Sequence, residues 1–156
     1  MRAFAQVQPE LVAHHYTEAG QYEEAVGYWY KAGQRAHERS AYVEAIAHLT
    51  KGLEGLALLP ETSAHTEQEL TLRVLLGVMF QTTKGYGASE LEQVYARARE
   101  LCQQVPQSPQ LLQVLIGLRT FYHLRGKFQM AFELGEQPDL ISVCWCISYV
   151  AAPNTY

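Results

Sequence analysis

Apolar residues recur along the chain at intervals of three and four positions, the spacing that places them on one face of an α-helix. The clearest stripe consists of Leu91, Val94, Tyr95, Ala98, Leu101, Cys102 and Val105. Glycine and proline interrupt the pattern and predict seven helices, over residues 9–19, 22–39, 41–58, from 66, from 89, from 109 and 128–137. Ser40, Thr66 and Ser89 are the expected N-caps of the third, fourth and fifth helices. We therefore expect an all-α fold.

The fourth helix is apolar around nearly its whole circumference. Its apolar residues are Leu70, Leu72, Val74, Leu75, Leu76, Val78, Met79 and Phe80. A helix with this pattern is buried between neighbours rather than lying on the surface of a domain. We expect the fourth helix to be sandwiched.

The last part of the chain follows a different pattern. Ile141, Val143, Trp145, Ile147 and Tyr149 alternate with serine and cysteine, which is the period of a strand. We divide the chain into a helical repeat domain, residues 1–137, and an apolar tail, residues 138–156. A tail folded over the last hairpin, a disordered tail and a strand-paired tail all fit the sequence.

Composition and charge narrow the class of function. The 156 residues are 48% hydrophobic and 18% charged, which is usual for one soluble domain with a core. The net charge of -4 disfavours nucleic acid as a partner, because phosphate contacts require clustered Lys and Arg. The uncharged run 140–152 is shorter than the roughly 20 residues that span a bilayer. With only three cysteines and no apolar leader after Arg2, we expect a cytoplasmic protein with no membrane partner.

Small and aromatic residues recur at helical spacing in the first two helices. They are Ala13, Tyr16, Gly20, Ala25, Trp29 and Ala32, with further units around Gly33, Gly77 and Leu118. This pattern resembles the tetratricopeptide repeat, in which small residues let paired helices approach and large residues fill the gaps between hairpins. The resemblance implies a TPR-like α-α superhelix, a helical-hairpin solenoid of about seven helices. The units depart from the usual length of about 34 residues, and Arg73 stands where a large apolar residue belongs.

Several longer strings carry a narrower resemblance. They are PELVAHHYTEAG at 9–20, AGQRA at 32–36, EAIAHLTKGL at 44–53, TKGY at 83–86 and YARARELC at 95–102. Together they are similar to the helical-repeat region of large bacterial signalling proteins that carry a nucleotide cyclase or kinase domain and an AAA-like ATPase. This resemblance implies a sensor or regulatory arm. No cyclase or ATPase motif lies in these residues, so it implies no activity.

The few candidates for chemistry have simpler interpretations. His14 and Glu18 are four residues apart on one helical face, but a metal site needs at least a third ligand, and the sequence offers no obvious one. Cys144 and Cys146 lack the two intervening residues of a redox motif. The run TKGYG at 83–87 joins two helices, whereas a P-loop lies between a strand and a helix. We therefore expect no enzyme activity, no cofactor and no metal.

The analogy with the tetratricopeptide groove predicts which polar residues contact a partner. They are Glu10, His14, Thr17, Glu18, Gln34, His37, Glu38, Gln81, Thr82, Thr120 and His123. The expected partner is a protein or a peptide, including a neighbouring ATPase or cyclase domain. Two alternatives stay open: these residues are ordinary solvated surface, or the chain is a structural solenoid that forms a homodimer through its apolar tail and end hairpins.

Overall fold

The computed structural model describes residues 8–105 and 109–136, and within these ranges the chain consists of helices joined by short turns. The helices are α1 Pro9–Glu18, α2 Tyr22–Glu38, α3 Tyr42–Leu56, α4 Ser63–Lys84, α5 Ser89–Gln104, α6 Leu111–Leu124 and α7 Phe128–Gly135. No strand occurs in the described ranges, which confirms the expected all-α fold of about seven helices. The apolar tail, with Cys144 and Cys146, lies outside the described residues.

Each helix packs on the helices before and after it in sequence. Contacts between alternate helices arrange them in two layers, α1, α3, α5 and α7 in one and α2, α4 and α6 in the other. In the second layer, His65 Nε2 on α4 lies 3.3 Å from Glu23 Oε1 on α2. In the first layer, Lys127 Nζ, directly before α7, lies 3.3 Å from Glu92 Oε1 on α5. This is the packing of a helical-hairpin solenoid, in which each hairpin rests on its neighbours.

Three turns between helices share one backbone geometry, at Gly20, Ser40 and Gly126. Their φ angles are positive, at 72°, 59° and 71°. In each turn the next residue donates its N–H to the carbonyl five positions earlier, the bonding pattern that ends a helix in a Schellman motif. The prediction that Ser40 caps α3 is therefore wrong, because Ser40 terminates α2. Ala41 occupies the N-cap position of α3 and makes no side-chain cap.

The beginnings of α4 and α5 also differ from the predicted caps. Thr62 Oγ1 accepts a hydrogen bond from the His65 backbone N–H at 3.2 Å, so α4 begins earlier than its apolar pattern predicts. Thr66, the predicted cap, lies within the first turn of that helix. At α5 the N-cap is Ala88 in an extended conformation, and the predicted cap Ser89 is the first helical residue.

The sandwiched position predicted for α4 is confirmed by the core. Leu70 and Val74 pack in a cluster with buried residues of α5, α6 and α7. Leu72, Leu76 and Met79 pack in a second cluster, mainly with α2 and α3. The apolar circumference of α4 therefore serves two cores at once.

Tyr95 on α5 is wedged between α4 and α6, and its side chain is buried, with 1% exposed. A Cβ atom at Gly77 on α4 would lie 2.6 Å from Tyr95 Cζ. A Cβ atom at Gly117 on α6 would lie 2.6 Å from Tyr95 Cε2. Real Cβ atoms essentially never come that close to another heavy atom. Glycine at both positions therefore gives the ring its space.

Candidate functional site

An open cleft of about 320 Å³ lies between α4 and α6, and we call it the α4/α6 cleft. It is lined by Gln81, Tyr86, Tyr95, Pro109, Leu112, Gln113, Ile116, Gly117 and Thr120. Tyr86 and Ile116 are about half exposed and provide apolar surface at this cleft. None of the lining residues carries a carboxylate, an amine, a guanidinium or an imidazole. The cleft is therefore suited to an uncharged group held by apolar contact and a few hydrogen bonds.

The hydroxyl of Tyr95 gives this cleft a fixed polar group. Gln81 Nε2 donates a hydrogen bond to Tyr95 Oη at 2.9 Å. Burial raises the pKa of the Tyr95 hydroxyl to about 12, and nearby Tyr86 adds to the shift. The hydroxyl therefore keeps its proton at neutral pH and can donate it to an acceptor such as a peptide carbonyl.

A second open cleft, of about 390 Å³, lies between α2 and α4, and we call it the α2/α4 cleft. Its lining residues are Val26, Gly27, Tyr30, Ala64, Glu67, Gln68, Thr71 and Leu72. Glu67 is exposed and is the one charged residue of this lining. None of the ion pairs among the described residues involves Glu67. The α2/α4 cleft therefore offers a free negative charge beside apolar surface.

One face of α4 lies between the two clefts. It consists of Glu67, Thr71, Leu75, Val78 and Thr82, which follow one another at intervals of three or four residues. All five are partly or fully exposed; Leu75 and Val78 in the middle are apolar, and the other three are polar. Together with the two clefts this strip forms a surface contributed by three helices, which we call the α2/α4/α6 face.

A different side of α4 carries an ion-pair network, at a third cleft of about 320 Å³ that Glu69, Arg73 and Arg97 help to line. Glu69 Oε1 accepts hydrogen bonds from Arg73 Nε at 2.7 Å and from Arg97 Nε on α5 at 3.2 Å. Burial raises the pKa of Glu69, but the hydrogen bonds from Arg97 and Arg73 outweigh it and hold the pKa below its ordinary value. Arg97 also pairs with Glu100 at 3.1 Å. The network links α4 to α5 and gives the Arg73 side chain a structural role.

Four of the predicted partner-binding residues border the clefts. Gln81 and Thr120 line the α4/α6 cleft, and Thr82 lies on the strip of α4 beside it. Gln34 Nε2 donates to the hydroxyl of Tyr30 at 2.8 Å, and Tyr30 lines the α2/α4 cleft. These four predicted residues therefore lie in or beside the candidate face, and their role in binding stays a prediction.

Three further predicted residues, His37, Glu38 and His123, lie at the ends of α2 and α6. The His37 ring packs on Tyr42 with centroids 6.0 Å apart, and its buried Nδ1 has no hydrogen-bond partner among the described residues. The His123 ring packs edge-on against Phe128 at 5.4 Å. Both histidine rings thus contact the next helix across a turn, and none of the three residues lines a cleft.

Two of the predicted residues of α1, Thr17 and Glu10, interact with residues of α2 and α3. Thr17 Oγ1 accepts a hydrogen bond from Trp29 Nε1 at 3.0 Å, which satisfies the one polar atom of a buried indole. The indole also stacks on the His48 ring of α3, with centroids 5.5 Å apart, and Lys51 Nζ lies 4.7 Å from its ring centroid. Burial lowers the pKa of His48, and the carboxylate of Glu10 partly opposes this shift. Thr17 therefore has a packing role, and α1 does not contribute to the α2/α4/α6 face.

The structure also places the residues considered as candidates for metal and phosphate binding. His14 Nε2 and Glu18 Oε1 form an exposed pair at 3.6 Å. The described residues contain no group of three His, Cys, Asp or Glu side chains that could hold a metal ion. Thr83 and Lys84 end α4, and Gly85 follows with a φ of 82°, so this run is a turn between helices. In the described part of the chain, every helix is too short or too polar to cross a membrane.

Most residues of the face are absent from the predicted set, among them Tyr30, Glu67, Tyr86, Tyr95 and Ile116. Tyr95 belongs to the predicted core stripe and is buried, and the structure shows that it also lines the α4/α6 cleft. The available signal was Gly117, a glycine inside a strongly helical segment, which often marks a packing or functional constraint. Nothing in the sequence distinguishes the other four from ordinary surface.

Comparison with known protein families, with curated proteins and with solved structures finds no match to this chain.

Proposed function

We propose that this chain is a non-catalytic binding module whose α2/α4/α6 face holds a segment of a protein or a peptide. The observation that carries the proposal is the pair of open clefts on either side of the exposed strip of α4. The α4/α6 cleft combines apolar side chains with the neutral donor of Tyr95. The α2/α4 cleft adds the free carboxylate of Glu67.

A peptide segment matches these features in chemistry. One of its backbone carbonyls accepts a hydrogen bond from the Tyr95 hydroxyl. A backbone N–H of the peptide donates to the hydroxyl oxygen of Thr120, whose own proton is donated to the Ile116 carbonyl at 2.8 Å. An apolar side chain of the peptide packs on Ile116 and Tyr86, and a basic side chain pairs with Glu67. The apolar contacts supply most of the affinity, and the charge sets the direction in which the peptide lies.

We further propose that the module acts in the cytoplasm as the sensor or regulatory arm of a bacterial signalling ATPase or nucleotide cyclase. This part of the proposal rests on the sequence strings given above and not on the geometry of the clefts. The alternative function is self-association without a separate partner. Phe128 and Phe132 favour that alternative, because both are largely exposed on the last described helix.

The test uses a displayed library of random peptides selected on the purified chain. Peptides that bind are then synthesised, and their affinities are measured by fluorescence polarisation. Ile116→Glu places a charge in the α4/α6 cleft and should weaken binding by about tenfold or more, as the loss of a central apolar contact typically does. The matched control is Val43→Glu on α3, which adds the same charge at an exposed position of the other layer.

Equal affinities of the wild type and the two variants for every selected peptide would contradict the location of the binding surface. A selection that yields no binder at all would contradict peptide recognition itself. Both variants change exposed residues, so circular dichroism should show unchanged helicity and the comparison reports binding rather than folding.

A further inference from the structure

The last described helix, α7, presents an apolar face that the described residues leave largely exposed, although the His123 ring packs edge-on against Phe128. Its buried side consists of Ala131 and Leu134. Phe128 is 62% exposed and Phe132 is 65% exposed, and the two lie four residues apart on one face. Leu124 at the end of α6 is also exposed. Two phenylalanine rings side by side in water are unfavourable, because each loses the hydrophobic stabilisation that burial provides.

The repeated turn geometry identifies which positions of α2 and α3 correspond to this face. Aligning the turns at Gly20, Ser40 and Gly126 puts Phe128 in register with Tyr22 and Tyr42. The same alignment puts Phe132 in register with Val26 of α2 and Ile46 of α3. The small residues Ala25, Ala45 and Ala131 also coincide, and all three are buried, which supports the register.

In both earlier helices the corresponding face is covered by the chain that follows. Val26 is 2% exposed, and a Cβ atom at Gly55 near the end of α3 would lie 3.5 Å from Val26 Cγ2. Tyr42 and Ile46 pack against the core cluster that includes Leu72, Leu76 and Met79 of α4. The face that α7 exposes is therefore the face on which, in α2 and α3, the next segment of the chain packs.

We infer that the face formed by Leu124, Phe128 and Phe132 is an intramolecular docking surface for residues 140–152 of the same chain. This segment contains no charged residue and carries Ile141, Val143, Trp145 and Ile147. It follows α7 after only a short connection, so its local concentration at the α7 face is far above that of any other molecule. Docking covers the two phenylalanines and the apolar segment together.

Disulfide trapping tests the contact in the full-length chain. In a background with Cys146→Ser, the native Cys144 can pair with a cysteine introduced by Phe132→Cys. The matched control is Glu133→Cys, which lies at nearly the same distance along the chain but on another face of α7. Cys102 is buried and serves as an internal reference. Oxidised glutathione is added to dilute protein. Cleavage after glutamate, lysine and arginine separates Cys102, the introduced cysteine and Cys144 into different peptides, and mass spectrometry then identifies the linked pair.

Docking predicts an intramolecular link from position 132 that forms at least about tenfold faster than the link from position 133, because a disulfide needs Cα atoms within about 7 Å. Equal rates at the two positions would overturn the inference, since the chain connection alone would then explain the link. A link between two molecules whose yield rises with protein concentration would also overturn it and assign the face to a second copy.

A second measurement guards against a folding defect in the Phe132→Cys variant. Limited chymotrypsin digestion at Trp145 should be slow in the unmodified chain and faster in Phe132→Glu, with Glu133→Gln as the control that leaves the face intact. Identical digestion rates in all three proteins would count against docking, whether or not the cysteine variant folds.

Discussion

The space around Tyr95 allows a quantitative prediction from two substitutions of the same kind. Gly117→Ala adds a Cβ atom on α6 that would lie 2.6 Å from Tyr95 Cε2, 2.9 Å from Cζ and 3.0 Å from Cδ2. Gly27→Ala adds a Cβ atom on α2 that meets nothing within 4 Å. Both glycines are helical, so both variants gain helix propensity of about 1 kcal/mol. The two variants therefore differ in packing and not in backbone preference.

The clash at Gly117 should outweigh the gain in helix propensity. The Tyr95 ring is rigid and buried, so it cannot move away as the end of a flexible side chain would. Overpacking of a core typically costs about 1–3 kcal/mol, and three contacts below normal distance place this site at the upper end. We expect Gly117→Ala to destabilise the fold by about 1–2 kcal/mol net and Gly27→Ala to stabilise it by up to about 1 kcal/mol.

Urea unfolding followed by circular dichroism measures both effects, and thermal melts should show a change of roughly 2–4 °C per kcal/mol for a chain of this size. A second background, Tyr95→Leu, tests the cause. If the ring is responsible, Gly117→Ala should be nearly neutral or stabilising in that background, and the coupling energy should be large. The reasoning is refuted if Gly117→Ala stabilises the wild-type chain as much as Gly27→Ala does.

Three further variants test local features. Ser40→Gly should raise the urea midpoint by the equivalent of about 0.5–1 kcal/mol, because serine is strained at positive φ; a lower midpoint would contradict the turn geometry. Glu69→Gln should be less stable than the wild type at neutral pH. The gap should close as the pH falls below 4.5, because the lowered pKa gives the carboxylate a contribution that acid removes. A gap independent of pH would exclude the ion pairs as its cause. Hydrogen bonds to the Pro60 carbonyl and then to Glu23 raise the pKa of His65, so its contribution is complete below pH 6.5 and is lost as the pH rises through the raised value. The stability difference between wild type and His65→Gln should therefore shrink in alkaline buffer. A difference that grows with pH would contradict a stabilising role of the protonated imidazole.

Helix existence and core faces could be predicted from the sequence because both depend on local periodicity. Each of the six buried residues of α5 belongs to the predicted stripe, since a 3.6-residue period directly reports which side of a helix is apolar. The position of a helix end depends on a single turn, where several neighbouring residues have side chains that could act as the cap. Ser40 illustrates this, because serine is a good N-cap but here adopts the left-handed conformation that ends the preceding helix.

The candidate site was only partly predictable because a surface depends on which helices become neighbours. Gln34, Gln81, Thr82 and Thr120 were predicted through an analogy that placed the first helices of the hairpins on one side, and they lie in or beside the candidate face. The same analogy included α1, whose Thr17 accepts a hydrogen bond from the Trp29 indole on α2. No local sequence pattern tells which helices contribute to the surface, since this depends on how the helices pack in the two layers.

The exposed strip of α4 shows why an apolar helix can also be a binding surface. Its circumference serves three purposes: Leu72 and Leu70 enter separate cores, and Glu69 pairs with α5. The remaining sector of α4 carries Leu75 and Val78, and it would be buried only if α2 and α6 closed over it from both sides. Open clefts instead separate α4 from α2 and from α6. Apolar residues at Leu75 and Val78 then leave a partly open surface that a partner can cover, and this is the physical reason to seek the ligand along α4.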